Sequence, residues 1–291
     1  MNLSRKQLAQ QAIAQAMKTR KEAGFALHSI INIFDFAEKM GVSVRFCDIP
    51  SMEGVYQADA QPKPTIIVSS LRPTGRKAMT CGHELGHHVF GHGTQWDELI
   101  DNRLQSQRFE PDEFLVDVFS ASLQMPKLAV SHEISKRSLD PNSCRPEEIY
   151  ALSTLFGVSY GGFVTHLEST LGLINRSRGS DLAKCQPKHL RESLLGRSCP
   201  KNLIVVDTDW KDKSADIEVG DSVLLPADVK LEGTFAQIME QNSKRTIVTA
   251  IAPGICKVST PGGWASFVRI TRKDYVGRAP YRFDEETDDE N

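Results

Sequence analysis

Residues 83–87 read His-Glu-Leu-Gly-His. On a helix, side chains four apart project from one face, one turn above each other. That spacing lets His83 and His87 present imidazole nitrogens to a single zinc ion. Glu84, beside the first histidine, can reach a water held by the metal. A hydrolytic zinc site needs a third protein ligand and one open position. The nearby candidates are His88, His92, Asp97, Glu98 and Glu113. His88 follows His87 directly and so points about 100° away around a helix. His92 lies nine residues after His83, where metzincins place their third histidine ten after the first. Glu113 is the better choice, because it opens a second predicted helix and shares a face with Asp117 four residues on. Glu113 would ligate the metal, and Asp117 would accept the other N–H of a ligating histidine and fix its tautomer. Acidic residues at a helix N-terminus are also what the macrodipole favours by itself. The pair acquires its chemical meaning from the histidines.

Gly82 and Gly86 flank the first histidine inside the same predicted helix. Each costs roughly 1 kcal/mol there, so close approach of another backbone or a ligand is expected. Cys81 reads as a small buried residue.

The elements that must hold these residues follow from periodicity. Residues 3–22 read as an amphipathic helix with Leu3, Leu8, Ile13 and Met17 as its stripe, and 28–40 as a second, ended by Gly41. Val42, Val44 and Phe46 alternate as a strand, and 52–58 and 64–69 read as two more. A Pro73-Thr74-Gly75 turn leads into a helix reaching Phe90, with Gly91 as terminator. The histidines therefore follow a strand and sit inside a helix, which is the context this chemistry needs. A loop covers 91–110. Helices follow at 111–124, with Phe114, Leu115, Val118, Phe119 and Leu123 as the apolar stripe, and at 126–137. Residues 145–156 and 160–172, joined by Gly157-Val158-Ser159, read as a helix-turn-helix. The polar stretch 175–200 reads as a linker or irregular connection. From Leu203 the pattern changes to short strands at 203–206, 222–225, 236–239, 245–248, 255–258 and 265–268, the signature of a small barrel or sandwich.

Gly82-His83-Glu84-Leu85-Gly86-His87-His88, with Glu-Phe-Leu-Val-Asp-Val-Phe-Ser-Ala-Ser-Leu-Gln-Met-Pro at 113–126, resembles the ImmA/IrrE family of zinc metalloendopeptidases. Members typically read Ala-His-Glu-Leu-Gly-His, then Glu-x-x-Ala-Asn/Asp-x-Phe-Ala up to Leu-Leu-Met-Pro. The likeness covers about residues 25–130. It implies His83, His87 and Glu113 as metal ligands and Glu84 as general base. Gly82 and Val116 stand where alanine is usual, and Ser120 and Gln124 also depart; no ligand is lost. The central helix-turn-helix extends the resemblance. The IrrE branch carries a C-terminal GAF-like sensor domain, whereas the roughly 85 residues here read as all-β, without GAF helices.

The expected class is α+β: a mainly helical zincin-like peptidase domain with a small sheet at 1–137, a helix-turn-helix segment at 138–175, a linker at 176–200, a small all-β domain at 201–282 for regulation or partner binding, and an acidic tail at 283–291. The expected cofactor is Zn2+, with Mn2+ as the alternative. Zinc would lower the pKa of its bound water toward about 7 and polarise a scissile carbonyl, and Glu84 would carry the water's proton to the leaving amine. Tyr56 and His92 are candidate oxyanion or substrate contacts.

By resemblance, the expected substrate is a helix-turn-helix repressor of the Xre type, in a stress, mobile-element or phage system. The competing readings are a non-catalytic interaction module, such as one half of a toxin–antitoxin pair, and a DNA-binding regulator. Retention of Glu84 disfavours the first, since a structural site has no use for a base. Charge disfavours the second: between Arg145 and Gly172 one basic residue, Arg145, faces Glu147, Glu148 and Glu168. The whole chain carries 35 basic and 37 acidic residues, giving no general attraction to nucleic acid or membrane. Its six scattered cysteines include no Cys-x-x-Cys and read as reduced thiols. No apolar run approaches the ~20 residues of a membrane span and no signal core is present, so a cytoplasmic protein is expected.

Overall fold

The computed structural model describes residues 3–98, 109–199, 201–211 and 213–284. The chain forms an α+β protein of two compact units. One comprises Met1–Cys144, Phe156–Lys184 and Val276–Ala279; the other comprises Arg145–Leu155, Cys185–Tyr275 and Pro280–Asn291.

In the first unit, α1 (Arg5–Glu22) starts from a capping box in which Ser4 and Gln7 satisfy each other's backbone N–H groups. Its inward stripe differs from the expected one. Leu8, Ala12, Ala16 and Thr19 are buried, whereas Leu3 is exposed and Ile13 and Met17 are only partly covered. Alanines let α1 lie close against α4 (Pro111–Gln124), and Arg20 completes the contact by donating to the Leu123 carbonyl at 2.6 Å. Helix α2 (Ile33–Lys39) is shorter than its apolar pattern, because Asn32 caps it by accepting from the backbone of Phe34 and Asp35.

A mixed sheet follows, with strands β1 (Ser43–Cys47), β2 (Met52–Gln57), β3 (Thr65–Ser69) and β4 (Gln95–Glu98). Its order is β13-β1-β3-β2-β4, where β13 is the two-residue strand Gly277–Arg278. β1 runs parallel to β3; the other pairings are antiparallel. Val44, Phe46, Ile66 and Val68 point into the core, as their alternation requires. Helix α3 (Thr74–Phe90) packs on β2 and β3. Gly91, at φ +71°, ends it as expected. The loop expected at 91–110 instead contains β4; residues 99–108 lie outside the described residues.

Helices α5 (Lys127–Lys136) and α7 (Tyr160–Ser169) also belong to the first unit. Both helices of the expected helix-turn-helix form, α6 (Pro146–Phe156) being the other. Compactness divides them, however: Arg145–Leu155 goes with the second unit. The linker expected at 176–200 is a correction. It holds α8 (Arg176–Ala183), capped by Asn175, and α9 (Pro187–Leu195), with proline in its first turn and Gly196 beyond its end. These helices are too short and polar to show a stripe, and bury mainly Leu182, Leu190 and Leu195.

The second unit is built on two four-stranded sheets, β5-β7-β10-β9 and β6-β12-β11-β8. The strands are β5 (Leu203–Val205), β6 (Ala215–Glu218), β7 (Ser222–Leu225), β8 (Lys230–Glu232), β9 (Ala236–Gln241), β10 (Thr246–Ala250), β11 (Gly254–Ser259) and β12 (Ala265–Thr271). Every strand expected by alternation is present; β6 and β8 are additional. Ile204, Val223, Leu225, Ile247, Val258, Val268 and Trp210 are buried. The acidic tail, from Glu285 onward, lies outside the described residues.

Candidate metal centre

Helix α3 supplies His83, Glu84 and His87, all buried. Helix α4 packs against it and supplies Glu113 from its first turn, just after Pro111, and Asp117 one turn later. One ligand atom from each of His83, His87 and Glu113 falls within 4.8 Å of the others. The Nε2 atoms of His83 and His87 are 3.1 Å apart. Glu113 places Oε2 3.3 Å from Nε2 of His83 and Oε1 3.5 Å from Nε2 of His87. Asp117 Oδ1 sits 2.8 Å from Nδ1 of His83, on the ring edge away from Glu113.

The approach of the two helices explains the glycines. A Cβ on Gly86 would come within 2.8 Å of Val116 Cβ, and one on Gly82 within 2.5 Å of both Ser120 Oγ and Gln124 Nε2. The sequence departures are therefore linked in space. Gly82 lacks the usual methyl where Ser120 and Gln124 add polar atoms, and Gln124 reaches back to Ser120 Oγ at 3.2 Å. The close neighbours are side chains of α4, rather than the ligand or backbone that the glycines alone allowed for. Cys81 is fully buried.

On its other side α3 faces β2. Glu84 and His88 share one helix face, and Gly54 and Tyr56 share one strand face. A Cβ on Gly54 would lie 2.5 Å from Thr80 Cγ2, 3.0 Å from Glu84 Oε1 and 3.3 Å from Glu84 Cγ. Gly54 thus makes room for the Glu84 side chain. The sequence offered a signal for it, a glycine interior to a strand, which marks close approach.

The remaining candidates are placed as follows. Tyr56, buried, holds its hydroxyl 2.7 Å from Nδ1 of His88. Burial, helped by Asp59, pushes the Tyr56 hydroxyl pKa up, and burial pulls that of His88 down, so burial favours the neutral form of both partners. His88 is turned to Tyr56 and away from the triad, as its position on the helix requires. His92 Nδ1 lies 3.0 Å from Nδ1 of His87. Asp97 and Glu98 are on β4, with side chains outside the described residues.

Two buried histidines from one helix and a carboxylate from the helix packed against it form a possible metal-binding site. Residues 37–167 match the family model described as the IrrE N-terminal-like domain, Peptidase_M78. The match spans every residue of the centre and supports a peptidase domain of the ImmA/IrrE type over those residues. No curated protein matches the chain. No helix among the described residues is long and apolar enough to cross a membrane.

Proposed function

We propose that the protein is a zinc-dependent endopeptidase of narrow specificity, with His83, His87 and Glu113 as ligands and Glu84 as general base. The observation that carries this is the spacing of the donor atoms. Zinc bonds of ~2.0–2.1 Å in a tetrahedron put neighbouring ligand atoms about 3.3 Å apart. The two imidazole nitrogens and the Glu113 oxygens stand 3.1, 3.3 and 3.5 Å from one another. Three lone-pair donors so close repel one another unless a cation or shared proton lies between them. Two imidazoles and one carboxylate are a donor set suited to zinc, with manganese as the alternative metal. In this reading the peptidase domain is zincin-like, with a glutamate as third ligand.

When bound, zinc acidifies an attacking water and polarises the scissile carbonyl. Glu84 does the proton work. Its carboxylate is held between α3 and β2, takes the water's proton and returns it to the leaving amine. Asp117 keeps the proton of His83 on Nδ1, leaving Nε2 as the ligating atom.

The family resemblance points to a helix-turn-helix repressor of the Xre type as substrate. Direct DNA contact is not part of this reading: the exposed residues of α7 are Gly161, Thr165 and Ser169, none of them cationic. Six cysteines outside any disulfide fit a reducing, cytoplasmic setting. The test is incubation of such a repressor with wild-type protein and with Glu84→Gln. The wild type should cut it; Glu84→Gln should bind zinc as tightly and cut about 10²–10⁴-fold more slowly. Equal cleavage by the two would remove Glu84 as base. No cleavage by the zinc-loaded wild type would favour the interaction-module reading.

A further inference from the structure

We propose that His92 is a positioning residue for the metal centre: its Nδ1 accepts the Nδ1–H of His87 and so holds His87 in the tautomer that ligates through Nε2. This deepens the zinc reading above and rests on it. If both histidines offer Nε2 to the metal, each must carry its proton on Nδ1. For His83 the acceptor is Asp117, at 2.8 Å. For His87 the atom opposite Nδ1 is Nδ1 of His92, at 3.0 Å. Only one of two facing ring nitrogens can hold the proton of that hydrogen bond. With His87 as donor, His92 must be neutral, with a bare Nδ1 and its own proton on Nε2. This is a different role from the oxyanion contact expected for His92, because its Nδ1 is directed at a ligand.

The backbone builds the contact. Gly91 adopts φ +71°, closing α3, and the His92 N–H returns to the His87 carbonyl at 3.1 Å. The reversal carries the His92 ring back over the last turn, where it stacks on Phe90 with ring centres 5.8 Å apart and planes at 21°. The two ligands are therefore supported unequally. A carboxylate from another helix holds His83, and a neutral imidazole from the same helix end holds His87. A neutral acceptor polarises its ligand less than an anionic one.

The test compares wild-type, His92→Phe and His92→Asn proteins. Phenylalanine keeps the ring over Phe90 and removes the acceptor. Asparagine can set Oδ1 close to where Nδ1 of histidine lies. Zn2+ affinity by chelator competition, the visible spectrum of the Co2+-loaded protein and the melting temperature of the metal-free protein are measured. We expect His92→Phe to bind Zn2+ about 10–100-fold more weakly with an altered Co2+ spectrum, the range for loss of a ligand's supporting hydrogen bond. The metal-free melting temperature should hold within about 2 °C, roughly 1 kcal/mol for a chain of this size. His92→Asn should recover wild-type affinity to within about threefold, less than 1 kcal/mol. The proposal is overturned if His92→Phe binds Zn2+ as wild type does, if His92→Asn is as weak as His92→Phe, or if the metal-free protein is destabilised enough to account for the loss. A wild-type protein that takes up neither metal would instead overturn the zinc reading itself, and this inference with it.

Discussion

At the scale of single residues the centre is organised by what is left out as much as by what is present. Helical spacing pairs His83 with His87 and Glu113 with Asp117, because a helix fixes which side chains share a face; the family resemblance is what joins the two pairs into one ligand set. Gly54 could not be placed this way, because its role depends on which strand lies under α3. That role makes a prediction. In Gly54→Ala the new methyl meets Thr80 Cγ2 at 2.5 Å and the Glu84 side chain at 3.0 and 3.3 Å. Overpacking of this kind costs about 1–3 kcal/mol. Adding Thr80→Ser removes the nearest of these atoms and should recover most of the stability, read by denaturant unfolding. The displacement of Glu84 should remain. A misplacement of about 1 Å in a catalytic group costs on the order of 10²-fold in rate. The double variant should therefore bind Zn2+ normally, near wild-type stability, and still turn over poorly. Full activity in it would show that Gly54 matters only for packing.

At the scale of elements, legibility followed the amount of apolar pattern each segment carries. Helix α4 was readable to its ends because Pro111 opens it and Leu115, Phe119 and Leu123 mark its buried face. Helices α8 and α9 were not, because Asn175 and Pro187 announce helix starts but few buried residues follow them. The stripe of α1 was misread because its closest contacts are alanines, which periodicity weighs little. Helix α7 is fastened by His166, which is 2% exposed and donates through Nε2 to the Met125 carbonyl at 2.9 Å. Burial pushes its pKa down from 6.5 to about 4. The unfolded chain therefore takes up a proton below about pH 6.5 while the folded chain does not until about pH 4. The stability His166 contributes is complete above pH 6.5 and is lost as pH falls toward 4, on the order of 3 kcal/mol at most. Asp221 in the second unit runs the other way, since burial raises its carboxyl from 3.8 to about 6 and its contribution is lost as pH rises through that window. The two slopes partly cancel in the whole protein. Comparison with His166→Asn isolates the first: wild type should lose its advantage over the variant between pH 6.5 and 4. A constant difference across that range would mean the buried imidazole does not titrate there.

At the scale of the whole molecule, the order of the chain and the order of the structure disagree, and periodicity had no means of showing it. Strand β13 is two residues long, yet it places Arg278 and Gly277 opposite Arg45 and Phe46 of β1. Residues 277 and 278 thereby cover the edge of the sheet in the unit that carries the candidate metal centre. Helix α6 makes the opposite excursion. Tyr150 donates to the Leu203 carbonyl at 2.7 Å, the backbone N–H of Val205 donates to Thr154 Oγ1 at 3.3 Å, and Lys213 Nζ donates to the Leu155 carbonyl. Ile149, Tyr150, Leu152 and Leu155 are buried. A cut that follows the expected chain-order domains, such as a fragment of residues 1–175, would keep α6 without β5 and would lose β13. Its β1 edge would be open to pairing with another chain, and the apolar residues of α6 would lose part of their cover. The fragment should bind Zn2+, since every ligand is present. It should also self-associate on size-exclusion chromatography and unfold at lower denaturant, by on the order of 3–6 kcal/mol for two or so uncovered apolar side chains. A monomeric 1–175 fragment as stable as the metal-binding unit of the full chain would show that β13 and the surroundings of α6 add nothing to that unit.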